Sequence, residues 1–142
     1  MIRRMKPEDL DQVMMLERQI FSRPWSEKSM RSALQQDTIY LVDVADGKIR
    51  GYLGIWCMAE DGDLCNMAVA EQARRGGVAS RLMEEGMACC RRQGVHRIVL
   101  EVRESNLPAK TLYQSKGFVP IGVRKQYYSE PRENAVIMEC LL

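Results

Sequence analysis

A single histidine, His96, stands in the 142-residue chain. No second one can be recruited within the chain. Multi-histidine metal sites are therefore excluded, and a Ser-His-Asp or Cys-His device would have to use this residue. The five cysteines, Cys57, Cys65, Cys89, Cys90 and Cys140, contain no C-x-x-C pair, so a zinc site has no support. Their odd number, with no leader in sight, reads as reduced intracellular thiols. The first residues, Met1 to Asp9, carry charges with no apolar run behind them, so no secretory signal is expected. The longest stretch without a charge is the nine residues Gly51 to Ala59. A membrane-spanning helix needs about 20. Charge of one sign is also lacking: 21 Lys and Arg against 19 Asp and Glu leave a net +2. Nothing in that balance argues for nucleic acid or a membrane surface as partner. The expectation is a soluble, cytoplasmic protein.

The remaining composition is ordinary, 46% hydrophobic and 28% charged. At this length one domain over residues 1–142 is expected, able to bury roughly two-thirds of its unfolded surface without staples. No linker, repeat or low-complexity segment interrupts it. Ile2 to Met5 reads as a short strand. Pro7-Glu8-Asp9 opens a helix with proline and acids in its first turn, and Leu10, Val13, Met14, Leu16 and Ile20 carry it to Phe21. After Arg23-Pro24-Trp25, Ser26 caps a second short helix. Ile39–Val44 and Ile49–Met58 form a hairpin about Asp46-Gly47. A further turn at Glu60–Asp63 leads into Leu64–Val69. The period then changes: Val78, Leu82, Gly86 and Cys90 mark a helix from Gly77 to Gln93, closed by Gly94. Ile98–Val102 is a strand. Asn106-Leu107-Pro108 opens a helix closed by Gly117, and Phe118–Val123 and Ala135–Leu142 end the chain as a strand pair. The order β-α-α-β-β-β-α-β-α-β-β, a meander followed by crossovers, predicts an α/β fold with a mixed sheet and helices on both faces.

Two places carry chemistry. The first is Arg74-Arg75-Gly76-Gly77-Val78-Ala79, between a strand and the long helix. A helix start offers unpaired amides and partial positive charge, two glycines let a bulky anion approach, and two arginines add charge. This suits a pyrophosphate. It is neither a Walker loop nor a dinucleotide fingerprint. A plain glycine-rich connection with two solvated arginines would use the same residues. The second is Glu101, whose side chain points opposite to those of Ile98, Leu100 and Val102. It is either a functional carboxylate or one paired with Arg103 or a nearby arginine. Tyr113, on the next helix, is either a proton donor or a half-buried aromatic with its hydroxyl in water.

Arg74-x-x-Gly77-x-Ala79 resembles the Q/R-x-x-G-x-G/A signature of the GCN5-related N-acetyltransferase (GNAT) family, in the strand-to-helix position that family gives it. Glu101-Val102-Arg103-x-Ser105-Asn106 and Ala109-x-x-Leu112-Tyr113-x-x-x-Gly117-Phe118 resemble its RimI-type branch, which acetylates the N-terminal alanine of a small-subunit ribosomal protein. So do Phe21-x-x-Pro24-Trp25-Ser26, Asn66-x-Ala68-Val69, and Arg124-x-x-Tyr127-Tyr128 followed by Asn134-Ala135-x-x-Met138. Arg74 stands for a frequent glutamine. Glu104 stands for a smaller residue, adding a negative charge near the expected cleft.

The resemblance implies a GNAT fold, with a central mixed sheet of six to seven strands. It implies acetyl-CoA as co-substrate, no metal, and a protein N-terminus, that of a ribosomal protein, as partner. By resemblance, Arg74, Arg75, Gly76, Gly77, Val78, Ala79 and Ser80 wrap the pyrophosphate. Strand amides of Met67, Ala68 and Val69 hold the pantetheine arm and polarise the carbonyl, and Asn106 touches the coenzyme, caps its helix, or does both. Glu101 is the implied general base, directly or through water, and Tyr113 the acid for the leaving thiolate. Trp25, Tyr127 and Tyr128 line the peptide cleft or pack as ordinary aromatics. Cys65 and the methionines read as core. The alternatives are a relative acting on a small amine or a lysine side chain, and a coenzyme-binding regulator without catalysis.

Overall fold

Along Thr38–Ala45 (β2) apolar side chains alternate between two cores, as the two-residue period of a strand requires. The computed structural model describes all 142 residues. Ile39 and Leu41 join one core and Tyr40 and Val42 the other. The remaining strands are β1 (Ile2–Arg4), β3 (Lys48–Met58), β4 (Asp61–Val69), β5 (Arg97–Arg103), β6 (Val119–Ser129) and β7 (Arg132–Leu141). They form one seven-stranded sheet in the order β1-β2-β3-β4-β5-β7-β6. Every pairing is antiparallel except β4 with β5. The helices are α1 (Leu10–Ile20), α2 (Glu27–Ala33), α3 (Val78–Arg92) and α4 (Leu107–Ser115). Helices α1 and α2 cover one face, and α3 and α4 the other. The expected mixed sheet, covered on both sides, is the fold observed. No helix is long and apolar enough to cross a membrane.

Local signals set most boundaries. The Ser26 hydroxyl accepts from the Ser29 amide at 3.1 Å, and Asn106 caps α4 by accepting from Ala109 at 3.2 Å. Asp46 and Gly47 both take left-handed φ, as a two-residue hairpin turn needs.

Five boundary expectations are corrected. Pro7–Asp9 forms a 3₁₀ turn ahead of α1, and Phe21 is already extended. The turn after β3 is Ala59-Glu60, not Glu60–Asp63, because Asp61 pairs with Met58 and Gly62 is buried against Ile55, Val95 and Ile98. β6 runs on to Ser129 rather than ending at Val123, and β7 starts at Arg132 rather than Ala135. The pairing survives an irregularity at Lys125–Tyr127, where the Gln126 amide donates to the Asn134 side chain at 2.9 Å.

One irregularity shapes the site. Gly54 pairs with Asn66 and Ile55 with Leu64, which leaves Cys65 as an extra residue in β4. A bulge bends its strand and adds twist. The parallel ladder between β4 and β5 holds only for Asp61–Asp63 against Arg97–Val99. Beyond it the two strands part, and a gap opens in the sheet.

Candidate active site

The gap between β4 and β5 is one wall of a cleft of about 730 Å³. β4 contributes Leu64, Cys65, Asn66 and Met67, and β5 contributes Leu100 to Arg103. Asn106, Ala109 and Tyr113 of the α4 region line it on one side. The segment between α1 and α2, with Trp25, and the tip of the β6–β7 hairpin, with Tyr127 and Tyr128, line it on the other. These two meet over the cleft, where the Ser22 hydroxyl donates to the Glu130 carbonyl at 2.7 Å. Arg103 braces the hairpin tip from below, donating to Pro131 O at 2.8 Å and lying 4.3 Å above the Tyr128 ring.

Glu101 and Tyr113 thus face one space from different elements. The Glu101 carboxylate is about one-fifth exposed and has an arginine neighbour: Arg124 Nε lies 3.5 Å from Oε1. Of the expected partners, Arg103 or a nearby arginine, it is the latter: Arg103 itself pairs with Glu133 at 3.3 Å. Partial burial raises the Glu101 pKa above the ordinary carboxylate range, and the nearby Asp63 charge adds to this, while Arg124 opposes it. Asp63 follows from topology, since it pairs with Val99 and its side chain shares a face with Glu101 across the last rung before the strands part. Tyr113 is 8% exposed, its ring 5.9 Å from that of Phe118. Burial pushes its hydroxyl up to about 12, so it holds its proton at neutral pH. Burial likewise pushes the Cys65 thiol up to about 12. A protonated thiol is a poor nucleophile, which disfavours a covalent route through it.

Arg74 to Ser80 lie apart from this cleft, past the far end of β4. Arg75 and Gly77 both take positive φ, and Gly77 is the residue from which α3 starts. A Cβ at Gly77 would sit 3.0 Å from Arg81 Nη1. That nitrogen donates to Gly76 O at 2.9 Å, and Nη2 of the same guanidinium lies 3.4 Å from Asp43. Asp43 is wholly buried, and burial alone would raise its pKa. Bonds from the chain's amino terminus and from Arg50 outweigh that and lower it. Arg74 Nε donates to Val69 O at 3.2 Å, tying the loop to the strand before it. The residues around this loop suit a diphosphate: open amides at the start of a 15-residue helix, no side chain at Gly76 or Gly77, and cationic Arg74 and Arg75 exposed beside it. Between loop and cleft, the edge of Met67–Val69 that β5 has left carries backbone groups able to pair with an extended ligand.

Met67, Asn106, Trp25, Tyr127 and Tyr128 all reach the cleft, and Asn106 also caps α4. Ala68 turns into the α1–α2 core. Glu104 is exposed in the turn after β5 and does not line the cleft, so its charge stands off from the site. Sequence reasoning missed Glu17, Asp43 and Arg81, and named Arg124 only within the hairpin motif, without its place beside Glu101. Glu17 occupies the apolar stripe of α1, three or four residues from Val13, Met14 and Ile20, and Asp43 interrupts an apolar strand. A charge at a core position was the available signal for both.

Residues 10–118 match the model of the Acetyltransferase (GNAT) family. A Bacillus subtilis protein provisionally named a [ribosomal protein bS18]-alanine N-acetyltransferase is 36% identical, over 96% of this chain and 92% of its own. The Escherichia coli protein named [ribosomal protein bS18]-alanine N-acetyltransferase is 31% identical, over 92% of this chain and 89% of its own. The crystal structure of the ribosomal-protein-S18-alanine N-acetyltransferase from Escherichia coli superimposes with a TM-score of 0.92 at 29% identity, covering 99% of this chain and 92% of that one.

Proposed function

The chain belongs to the GNAT family of acetyltransferases, and we propose that it acetylates the α-amine of a protein's N-terminal residue. The relatives point to an alanine of a small-subunit ribosomal protein as the acceptor. It is an acetyl-CoA-dependent N-acetyltransferase, as the family is. The observation that carries the finer reading is the contact between the α1–α2 segment and the β6–β7 hairpin that spans the cleft. With Ser22 bonded to Glu130 above and Glu101 and Tyr113 below, the passage suits a chain end entering lengthwise.

The donor supplies a thioester carbonyl. In this reading Arg74 to Ser80 hold its diphosphate, the open edge of Met67–Val69 its pantetheine arm, and Asn106 the arm's far end. An α-amine has a pKa of about 7.7–8.0 and is largely protonated at neutral pH. Glu101, its proton affinity raised by burial and Asp63, takes that proton directly or through one water. The freed nitrogen forms the N–C bond as the C–S bond breaks. Tyr113 gives its proton to the departing sulfur and regains one from the amine nitrogen by way of solvent. One proton is released overall. Trp25, Tyr127 and Tyr128 grip the first residues of the peptide.

A lysine side chain or a small amine is the competing acceptor. One panel separates them: acetyl-CoA with peptides beginning with a free Ala, the same peptides N-blocked but carrying Lys, and polyamines. Thiol release with free N-termini only is expected. Release with blocked Lys peptides or polyamines instead overturns the reading, and no release with any amine would favour a coenzyme-binding regulator.

A further inference from the structure

Glu17 is 1% exposed, yet it borders the cleft. A carboxylate so placed needs its oxygens satisfied, and each has one donor. The hydroxyl of the fully buried Tyr52 donates to Oε1, and the backbone amide of Trp25 donates to Oε2 at 2.9 Å. The first bond anchors the carboxylate in the sheet. The second reaches out of the core to the segment between α1 and α2. That segment has no regular structure from Phe21 to Ser26. Its Phe21 amide donates to the Glu17 carbonyl at 3.0 Å as α1 ends, Ser22 and Arg23 reach Glu130 at the hairpin tip, and the Trp25 amide reaches the Glu17 carboxylate. The Trp25 ring then lies 6.3 Å from that of Trp56, over the cleft side of the α1–α2 core.

We propose that Glu17 is a positioning residue for the peptide substrate: by holding the Trp25 amide it sets the height of the lip over the cleft. A buried anion suits this task because a charge-assisted bond to an amide is about twice as strong as a neutral one. The inference rests on the peptide-cleft reading above. It places Glu17 outside the chemistry, so loss of its charge acts on peptide binding and spares both turnover and the donor.

The test is Glu17→Gln, with steady-state kinetics in both substrates and tryptophan emission. Trp25 and Trp56 are the only two tryptophans, so emission reads the lip directly. The Ala-peptide KM should rise roughly tenfold, as for a lost charged hydrogen bond. The acetyl-CoA KM should stay within about twofold and kcat within about threefold, and emission should shift to the red. An unchanged peptide KM, or an acetyl-CoA KM that rises in parallel, overturns the proposal. If Glu17→Gln does not fold, Tyr52→Phe decides, because it removes the anchor that holds the Glu17 carboxylate under the Trp25 amide. A raised peptide KM with a red-shifted emission and an unchanged acetyl-CoA KM supports the proposal. A peptide KM and emission like wild type overturn it. Should wild type reject α-amine peptides, the function reading fails by itself, while emission still reports whether Glu17 holds the lip.

Discussion

Leu64 and Ala68 lie on one strand, four residues apart, and pack into opposite cores: Leu64 under α3, Ala68 under α1. An even spacing on a regular strand would put both on one face. The extra residue Cys65 reverses the alternation between them. The same reversal turns Asn66 toward the α1 side, where its side-chain oxygen accepts from the Tyr40 hydroxyl at 2.9 Å, and Trp56 Nε1 donates to that hydroxyl at 3.2 Å.

Gly54, the partner of Asn66 across the bulge, leaves room for the Tyr40 ring. A Cβ there would lie 2.3 Å from Tyr40 Cε1. Gly54→Ala is expected to displace the ring, break its bond to Asn66 and destabilise the fold by about 1–3 kcal/mol. Urea unfolding measures this. A midpoint equal to wild type would show that the ring moves freely.

Removing the carboxylate of Glu101 should separate activity from stability. Its raised pKa means that the fold favours the protonated form. The stabilising contribution is therefore present at low pH and lost as pH rises through the folded value, so the ionised group costs stability at neutral pH. Glu101→Gln is expected to raise Tm at pH 7, with a smaller gain near about pH 4, and to lower kcat about 10²-fold. Melts at the two pH values and kcat check both halves. A lower Tm with full activity would remove Glu101 from the base role.

Tyr113→Phe keeps the ring against Phe118 and deletes only the hydroxyl, whose nearest titrating neighbour is Tyr128. The fold should be unaffected, and kcat should fall by about 10²-fold if this group supplies the proton to sulfur. Full turnover in this variant would mean that solvent protonates the thiolate.

Gly77→Ala probes the anion loop. Alanine at φ +80° costs about 1–2 kcal/mol, and its Cβ would crowd Arg81 at 3.0 Å. The acetyl-CoA KM is expected to rise roughly five- to tenfold with the peptide KM unchanged. A rise confined to the peptide would move the phosphate site elsewhere.

Acid sensitivity should trace in part to Asp9. Arg3 meets it with two nitrogens, at 2.7 and 2.9 Å, and the Lys6 amide donates at 2.7 Å. The Arg3 bond is the largest cause of its lowered pKa, with burial opposing. A depressed carboxylate stabilises the fold above its unfolded pKa, and that contribution is lost as pH falls through the folded value. Asp9→Asn should therefore reduce Tm at pH 7 and flatten its fall below about pH 4. Equal pH profiles for the two proteins would exclude this source.

Much of this molecule was legible in the chain because its causes are local. Ser26 and Asn106 cap the helices that follow them, Asp46-Gly47 makes its turn, and the Arg74–Ala79 loop opens α3 within a few residues of where the pattern puts it. The orientation of Glu101 followed from the period of two, and the place of Tyr113 from a helix bounded by Asn106 and Gly117. What the chain alone could not decide depends on partners far away in sequence. The bulge at Cys65 exists only against β3, and the gap beside Met67 only because β5 departs from β4. The arginine beside Glu101 proved to be Arg124, brought there by the β6–β7 pairing. Glu17 reads as one more charge on a helix until Tyr52 and Trp25 surround it. Periodicity and capping are short-range properties written into the residues themselves. Strand register, the parting of strands and the pairing of buried charges are settled by which distant surfaces bury each other best, and that is where the site is made.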